Sequence, residues 1–197
     1  MTGLEREIEQ ANARKAREIP TSFETDRLLL RAACVSDAEA TFTAALASAD
    51  ELSRWMPWAY PAPTREAIER YHATLDEKWR ARETLDFQWL DKRSGALIGK
   101  GGFHHIDWQV PKFEIGNWLH AEQCGQGYCT EAVLGMLDFA KTSLQARRLE
   151  IRTDPNNHAS RAVAERCGLT LEGILRTSMR GPDGSLRDAC VYALIVA

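Results

Sequence analysis

The sequence has no pattern that ties its cysteines together. Five cysteines are spread over 197 residues, an odd number, with no CxxC motif and no cysteine and histidine cluster at zinc spacing. Scattered thiols of this kind suit a reducing compartment better than a disulfide scaffold. We therefore expect no bound metal and a cytoplasmic location.

Long hydrophobic runs are also missing. The first eighteen residues, MTGLEREIEQANARKARE, are charged throughout, whereas a secretory leader needs an apolar core. The longest clean apolar run, Val191 to Ala197, is far below the ~20 residues of a membrane-spanning helix. The sequence thus predicts a soluble protein with no membrane partner.

An excess of positive charge is absent as well. The formal net charge is -3 at pH 7, whereas a general nucleic-acid binder needs a basic face to neutralise phosphates. This argues against nucleic acid as a partner, although a local basic pocket for one phosphorylated cofactor remains compatible with it. A hydrophobic content of 44% is sufficient for one real core. We interpret residues 1–20 as a polar helical extension and 21–197 as a single domain, either monomeric or homodimeric.

Periodicity and turn residues predict a mixed α/β (α+β) protein around one sheet. The predicted strands are 27–31, 85–91, 97–107, 112–120, 148–153, 169–180 and 186–197. The predicted helices are 3–18, one from the Ser36 and Asp37 cap to Ala49, 65–82, 130–144 and 158–167.

The segment from Trp118 to Ala132 predicts an anion-binding loop. Gly125 and Gly127 lie between a strand and a helix, where unpaired backbone N–H groups and the helix dipole favour negative charge. A P-loop would need a Lys and a Ser or Thr after its glycines, and a dinucleotide fingerprint would need a third glycine. Neither is present, and a tight turn without a ligand is the remaining alternative.

Seven segments, in order along the chain, resemble the GNAT superfamily of N-acetyltransferases. They are TDRLLLR, WMPW, GKGGFHHID, EIGNWL, GQGYCTEAV, DPNNHASRAVAERCGLTLEG and RDACVYAL. The nearest branch includes the ribosomal-protein N-terminal acetyltransferases. The resemblance implies a mixed, mostly antiparallel sheet flanked by helices, in which two neighbouring strands splay apart in a V. It also implies acetyl-CoA as cofactor and an amine acceptor, either a protein N-terminus or a small molecule.

The resemblance also assigns the cofactor site. The pyrophosphate would lie on Cys124, Gly125, Gln126, Gly127, Tyr128, Cys129 and Thr130. The pantetheine arm would pair with the backbone of Trp118, Leu119 and His120, contact Asn157, and end with its sulfur near the Ser160 hydroxyl. Two positions depart from the family: Cys124 stands where Gln or Arg is usual, and Ala164 replaces a tyrosine that serves many relatives as the acid.

Acetyl transfer to an amine requires a neutral amine and a proton for the departing thiolate. Ser160 is the candidate acid, although Asn157 and Ser160 also fit a plain helix cap. Glu114 is the candidate base, with His104, His105, Asp107 or a water molecule as alternatives. Strand alternation places His105 and Asp107 on one face and His104 on the other.

The acceptor side is expected to include Trp55, Trp58, Tyr60 and His105. Two indoles beside a proline make an awkward core element, and the resemblance implies that the WMPW segment lines the acceptor pocket. The sequence therefore predicts an acetyl-CoA-dependent N-acetyltransferase that acts on a primary amine in a ternary complex. The alternatives are a resistance-type acetyltransferase of an antibiotic or toxic aminoacyl compound, and a non-catalytic acyl-CoA-binding module.

Overall fold

The computed structural model describes residues 2–196. Met1 and Ala197, the outer ends of the two predicted domain ranges, lie outside the described residues. The strands in this range are β1 (Ser22–Glu24), β2 (Leu28–Ala32), β3 (Leu85–Asp91), β4 (Leu97–Asp107), β5 (Lys112–Leu119), β6 (Arg148–Thr153), β7 (Thr170–Arg180) and β8 (Leu186–Ile195). The α-helices are α1 (Gly3–Ala16), α2 (Ala38–Ala47), α3 (Ala49–Trp55), α4 (Arg65–Ala73), α5 (Leu75–Ala81), α6 (Tyr128–Thr142) and α7 (His158–Arg166).

The strands form one sheet in the order β1-β2-β3-β4-β5-β6-β8-β7. Every neighbouring pair is antiparallel except β5 and β6, which are parallel and are joined through α6. A crossover helix is the usual connection between parallel neighbours, since a tight turn joins only antiparallel strands. The predicted mixed, mostly antiparallel sheet flanked by helices is confirmed.

The parallel pair is short. Its register joins Lys112 to Arg148, Phe113 to Leu149 and Glu114 to Glu150, and it ends there. Beyond Glu114, β5 continues to Leu119 and β6 to Thr153 without further pairing between them. The two strands therefore diverge in the middle of the sheet, as the family resemblance implied.

Two hydrophobic clusters hold the sheet between its helices. The main cluster packs α6 against one face and contains fully buried aromatic side chains from three strands, Phe87, Phe103 and Phe113. The smaller cluster covers part of the opposite face, where Ala45, Ile68 and Trp118 meet. Successive side chains of the middle strands thus point alternately to the two faces of the sheet. One face is covered by α6, and the other lines the candidate site.

Beyond shifts of one or two residues at the ends of elements, such as α6 at Tyr128–Thr142 for the predicted 130–144, three features of the structure differ from the prediction. The helix 65–82 is two helices, because the Thr74 hydroxyl donates to the Tyr71 carbonyl at 2.8 Å and the chain bends there. The helix predicted to reach Ala49 ends at Ala47, and Trp55 closes a further helix, α3. The three-residue strand β1 was not predicted, since it is too short for a periodic signal.

The N-terminal helix α1 begins with a capping box at Thr2 and is exposed along most of its length, with Ala11 buried. The Arg82 guanidinium donates to the carbonyls of Lys15, at 3.4 Å, and Arg17, at 3.0 Å. Ile19, directly after this helix, belongs to the main core. In the described range no helix has the length and apolar character needed to cross a membrane.

Candidate active site

The loop before α6 has the geometry of an anion site. Gly127 is the N-cap of this 15-residue helix with φ +80°, and Gly125 has φ +77°. Both values lie in the left-handed region that glycine occupies without steric cost. A Cβ at Gly125 would meet no atom within 4 Å, so the backbone is open to close approach. The first N–H groups of α6 face this space without a side-chain cap.

Arg27 supplies a cation at this loop, and the sequence analysis missed it. Its guanidinium lies 4.1 Å from the centre of the Tyr128 ring and donates to the Gln126 carbonyl at 3.0 Å and to Glu131 at 2.6 Å. A Cβ at Gly127 would lie 3.5 Å from its Nη2. The usual cationic or amide residue is replaced by Cys124, and Arg27, directly before β2, places a guanidinium paired with Glu131 beside the same loop. Its place in the TDRLLLR segment was the available signal.

The two loop cysteines behave as structural thiols. The Cys129 sulfur accepts a hydrogen bond from the Asn117 side chain at 3.2 Å, and burial raises the pKa of its thiol to about 12. Burial also raises the pKa of the Cys124 thiol. Both thiols stay protonated near neutral pH, a poor state for metal binding. Across residues 2–196 no group of three or more His, Cys, Asp and Glu side chains is placed to hold a metal ion.

The backbone groups that β5 presents to the gap beside β6 are not all those expected to pair with pantetheine. The His120 N–H donates to the Ile98 carbonyl on the β4 side at 2.9 Å. Because hydrogen bonding alternates along an antiparallel pair, Trp118 also points its backbone groups at β4. Asn117 and Leu119 therefore present theirs to the gap between β5 and β6. Of the three residues expected to pair with pantetheine, only Leu119 has this orientation.

A cavity of about 490 Å³ lies over one face of β3, β4 and β5, between the sheet and the helices α2 and α4. Its wall includes the apolar side chains of Met56, Trp58 and Ile68. Its floor is formed by residues from β3, β4 and β5, among them Asp86, Lys100, Gly102, His104, Gly116 and Trp118. The cavity thus reaches the strand that borders the gap.

Two glycines on neighbouring strands leave space for polar side chains in the floor of the cavity. Asp86, Gly102 and Gly116 lie directly opposite one another across β3, β4 and β5. A Cβ at Gly102 would come within 2.2 Å of the Asp86 carboxylate, and one at Gly116 within 3.2 Å of the His104 ring. The two glycines therefore make room for these polar side chains.

A buried charge network lies on this floor. The Asp86 carboxylate, 4% exposed, contacts the Lys100 ammonium at 3.0 Å and accepts from the Tyr71 hydroxyl at 2.7 Å. Burial alone would raise the pKa of Asp86, but the nearby charge of Lys100 and the hydrogen bond from Tyr71 lower it on balance. The carboxylate is thus ionised and paired at neutral pH. Sequence reasoning missed it, because β3 also contains Gln88 and Asp91, so one more polar residue in this strand did not stand out.

Two histidines border this network as neutral rings. Burial lowers the pKa of His104, whose Nε2 lies 3.5 Å from Asp86. Burial and the charge of Lys100 lower the pKa of His72. The His72 Nδ1 lies 2.8 Å from the Cys34 carbonyl, which can only accept, so the proton is on Nδ1 and Nε2 is an acceptor.

The predicted acceptor residues divide between the cavity and its surroundings. Trp58 lines the cavity, is 41% exposed, and lies 6.0 Å from the Trp118 ring. Trp55, Tyr60 and His105 do not line it. His104 faces the cavity in regular alternation with Lys100 and Gly102, and the bulge at His105, with φ +47°, follows it.

Glu114 lies at the point where β5 and β6 part, opposite Glu150. Burial raises the pKa of its carboxyl, and the charge of Arg152 opposes that shift. On α7, the Asn157 side chain accepts from the Ser160 N–H at 3.1 Å, which is the cap that the sequence allowed. Ser160 is half-buried, and within residues 2–196 its hydroxyl has no hydrogen-bond partner.

Comparison with known proteins agrees with this geometry. Residues 27–170 match the family model described as Acetyltransferase (GNAT) domain. The uncharacterized N-acetyltransferase YoaA of Bacillus subtilis is 30% identical over 177 residues, which are 88% of this chain and 96% of that protein.

Two solved structures share the fold. The ribosomal L7/L12 alpha-N-protein acetyltransferase RimL in complex with coenzyme A has a TM-score of 0.81 at 24% identity, over 90% of this chain and 97% of that one. The microcin C7 self immunity acetyltransferase MccE, in complex with acetyl-CoA and AMP, has a TM-score of 0.83 at 22% identity, with the same two coverages. The resemblance that the seven motifs carried is confirmed.

Proposed function

We propose, on the premise that this chain belongs to the GNAT acetyltransferases and uses acetyl-CoA, that it transfers the acetyl group to a primary amine held in the cavity over β3–β5. The observation that carries the proposal is the position of β5. One edge of this strand borders the gap beside β6, and its residues Gly116 and Trp118 form part of the cavity floor. A thioester in the gap and an amine in the cavity would therefore meet at one strand.

The residues present fit the cofactor. Gly125, Gly127 and the first turn of α6 offer backbone N–H groups to a pyrophosphate, with the Arg27 guanidinium beside them. The unpaired backbone of Asn117 and Leu119 offers hydrogen bonds to an amide-containing arm. Bound acetyl-CoA supplies an activated acetyl group, whose carbonyl carbon is open to attack by a neutral amine.

The proton leaving the amine needs an acceptor near the gap. Glu114 is our proposed base, acting directly or through water, because its raised pKa makes it a better base than an ordinary carboxylate. His104 is the alternative, since it is neutral and faces the cavity. On the opposite side, the unpartnered Ser160 hydroxyl is our proposed donor to the departing thiolate, which at a thiol pKa of about 8.5 needs only modest help.

Steady-state kinetics test these roles. Ser160→Ala should lower kcat roughly tenfold to a hundredfold with little change in the KM for acetyl-CoA. Glu114→Gln should lower kcat while His104→Gln retains it, and the reverse result would transfer the base to His104. A Ser160→Ala protein with full kcat and a lower melting temperature would mean that Ser160 only supports the cap made by Asn157.

A small aminoacyl compound is the second candidate acceptor. The cavity is walled by Met56, Trp58 and Ile68 and has room for one side chain and its neighbouring group, which suits a free aminoacyl compound as well as a protein N-terminus. The fold shared with MccE is compatible with this candidate. A mass-spectrometric screen of acetylated products in cell extract separates the two. Binding of CoA without thioester consumption by any amine would instead support a non-catalytic module.

A further inference from the structure

One arginine beside the turn between β7 and β8 joins three separate segments of the chain. The Arg187 side chain, 25% exposed, donates from Nε to the Ser185 hydroxyl at 3.3 Å and from Nη2 to the Asp183 carboxylate at 3.3 Å. Its Nη1 donates to the Asp154 carboxylate at 3.4 Å and to the Arg54 carbonyl at 3.1 Å. A guanidinium holds its five N–H donors in a fixed planar fork. Contacts on all three nitrogens therefore leave this side chain little freedom to move.

The Arg54 carbonyl lies in the last turn of α3, directly before the apolar wall of the cavity. The last carbonyls of a helix have no partner within the helix, and basic side chains commonly bind them. Two residues further along the chain is Met56, and Trp58 follows, both of which line the cavity. The hydrogen bond from Arg187 thus fixes the position of the chain where the wall begins.

The Asp154 carboxylate lies directly after β6 and is buried. Its Oδ1 accepts from the Asn156 backbone N–H at 2.8 Å, and its carbonyl accepts from the Asn157 N–H at 2.9 Å. Asn157 in turn caps α7 at Ser160, the proposed donor to the thiolate. The second contact of Arg187 therefore holds the turn that leads into the proposed acid.

These two contacts, which we call the Arg187 bridge, cross the gap at its open end. Within residues 2–196, the other hydrogen bonds that join 2–119 directly to 148–196 lie at the closed end. They are the short pairing of β5 with β6 and the bond from the Arg148 N–H to the Pro111 carbonyl at 3.2 Å. At the open end, the position of the cavity wall relative to the turn after β6 thus depends on the Arg187 bridge.

We propose that Arg187 is a positioning residue for acetyl transfer, whose bridge holds the cavity wall at Met56 and Trp58 in place relative to the turn that leads to Ser160. This inference rests on the proposed function and adds a residue that acts through its neighbours. Two bound reactants react as one molecule only when their distance and angle are correct, and a misplacement of about 1 Å can cost about a hundredfold in rate. Loss of the bridge should therefore impair transfer more than CoA binding, since the glycine loop before α6 does not contact Arg187.

The test separates position from stability. Arg187→Met removes the bridge but leaves the buried Asp154 carboxylate without its cation, which puts folding at risk. Asp154→Asn/Arg187→Met removes both charges and is the principal variant. Arg187→Lys keeps a cation beside Asp154 but loses the planar fork. Arg180→Met is the matched control, because Arg180 is an exposed arginine of the same hairpin and donates to the Gly184 carbonyl at 2.9 Å within the turn.

Thioester consumption gives kcat/KM with a panel that contains N-terminal serine and alanine peptides and phenethylamine. We expect kcat/KM to fall roughly tenfold to a hundredfold in Arg187→Met and in the double variant, less in Arg187→Lys, and not at all in Arg180→Met. The CoA affinity from calorimetry should stay unchanged. The melting temperature should recover in the double variant while kcat/KM stays low, a separation that a merely structural role would not produce. Hydrogen exchange of the amides in 52–60 should be faster in the double variant and unchanged in Arg180→Met.

A wild-type kcat/KM in a folded Arg187→Met protein overturns the positioning role while leaving the acetyltransferase proposal intact. Recovery of kcat/KM together with the melting temperature in the double variant, or unchanged hydrogen exchange over 52–60, has the same meaning. No thioester consumption by the wild type with any member of the panel overturns the proposed function and the positioning role together.

Discussion

Substituting Gly127 by aspartate tests the pyrophosphate site most directly. Gly127 caps α6 with φ +80°, and an added Cβ would meet only the Arg27 guanidinium, at 3.5 Å. Space is therefore available for the new side chain. The left-handed backbone costs a non-glycine residue about 1–2 kcal/mol of stability, and proximity of the carboxylate to Arg27 offsets part of that cost. We expect a folded protein with a modestly lower melting temperature.

The effect on cofactor binding should be larger and electrostatic. A carboxylate about 5 Å from a pyrophosphate carrying two charges is repelled by about 0.8 kcal/mol per charge even at the dielectric constant of water, or about 1.7 kcal/mol in total. Since about 1.4 kcal/mol is a factor of ten, calorimetry should show at least a tenfold loss of CoA affinity. The loss should shrink at high ionic strength, because the charges lie at the surface.

Gly184→Asp is the matched control for this substitution. Gly184 lies in the turn between β7 and β8, has φ +81°, and offers a new Cβ no neighbour within 4 Å. It therefore carries the same backbone strain and the same added charge at a distance from the loop. Equal CoA affinities for the wild type and a folded Gly127→Asp protein would refute the site at Gly127.

Two further substitutions probe the cavity. Trp58→Ala should raise the KM for the acceptor by the equivalent of about 1–2 kcal/mol, with CoA affinity unchanged. Because Trp58 is 41% exposed, the melting temperature should change little; a stability loss of about 3–5 kcal/mol with a normal acceptor KM would make it a core residue instead. Lys100→Met should reduce the free energy of unfolding at neutral pH by about 3–5 kcal/mol, since it leaves Asp86 buried and unpaired, and Asp86→Asn/Lys100→Met should recover most of this. In the wild type the folded state lowers the pKa of Asp86, so the pair stabilises the protein above the ordinary value of 3.8 and its contribution is lost as the pH falls through the lower folded value. Denaturant titrations of the three proteins at neutral and acidic pH check both statements, and equal stability of wild type and Lys100→Met would contradict them.

Local sequence patterns predicted most of the sheet. The strands 85–91, 97–107 and 148–153 were placed with the observed bounds, because alternation and turn residues mark both ends of each. The family resemblance implied that two neighbouring strands splay apart; it named neither the parallel pairing of β5 with β6 nor the residue at which that pairing ends. Nothing in the spacing of either strand encodes where two strands whose paired residues are 36 positions apart lose contact.

The candidate site was predictable on its cofactor side and much less so on its acceptor side. Gly125 and Gly127 carry a local signal, since a left-handed backbone before a helix requires glycine. Asp86 and Lys100 carry none, because a charged residue in a strand becomes informative only when its partner across the sheet is known. Alternation placed His104 and His105 on opposite faces without deciding which face borders the site; His105 was assigned to the acceptor side, whereas His104 lines the cavity.

The early end of the β5–β6 pairing also has a mechanical consequence. Strands β1 to β5 and strands β6 to β8 are two halves of the sheet. Their strand pairing is continuous only through three residue pairs, from Lys112 with Arg148 to Glu114 with Glu150. A sheet bends most easily where two neighbouring strands share the fewest hydrogen-bonded residue pairs. Bending of this sheet is therefore concentrated at the short pairing of β5 with β6. Glu114, the last residue of β5 that pairs with β6, is the proposed base. Small rotations of one half of the sheet against the other would therefore change the width of the gap between β5 and β6, at the place where we propose that the proton is removed.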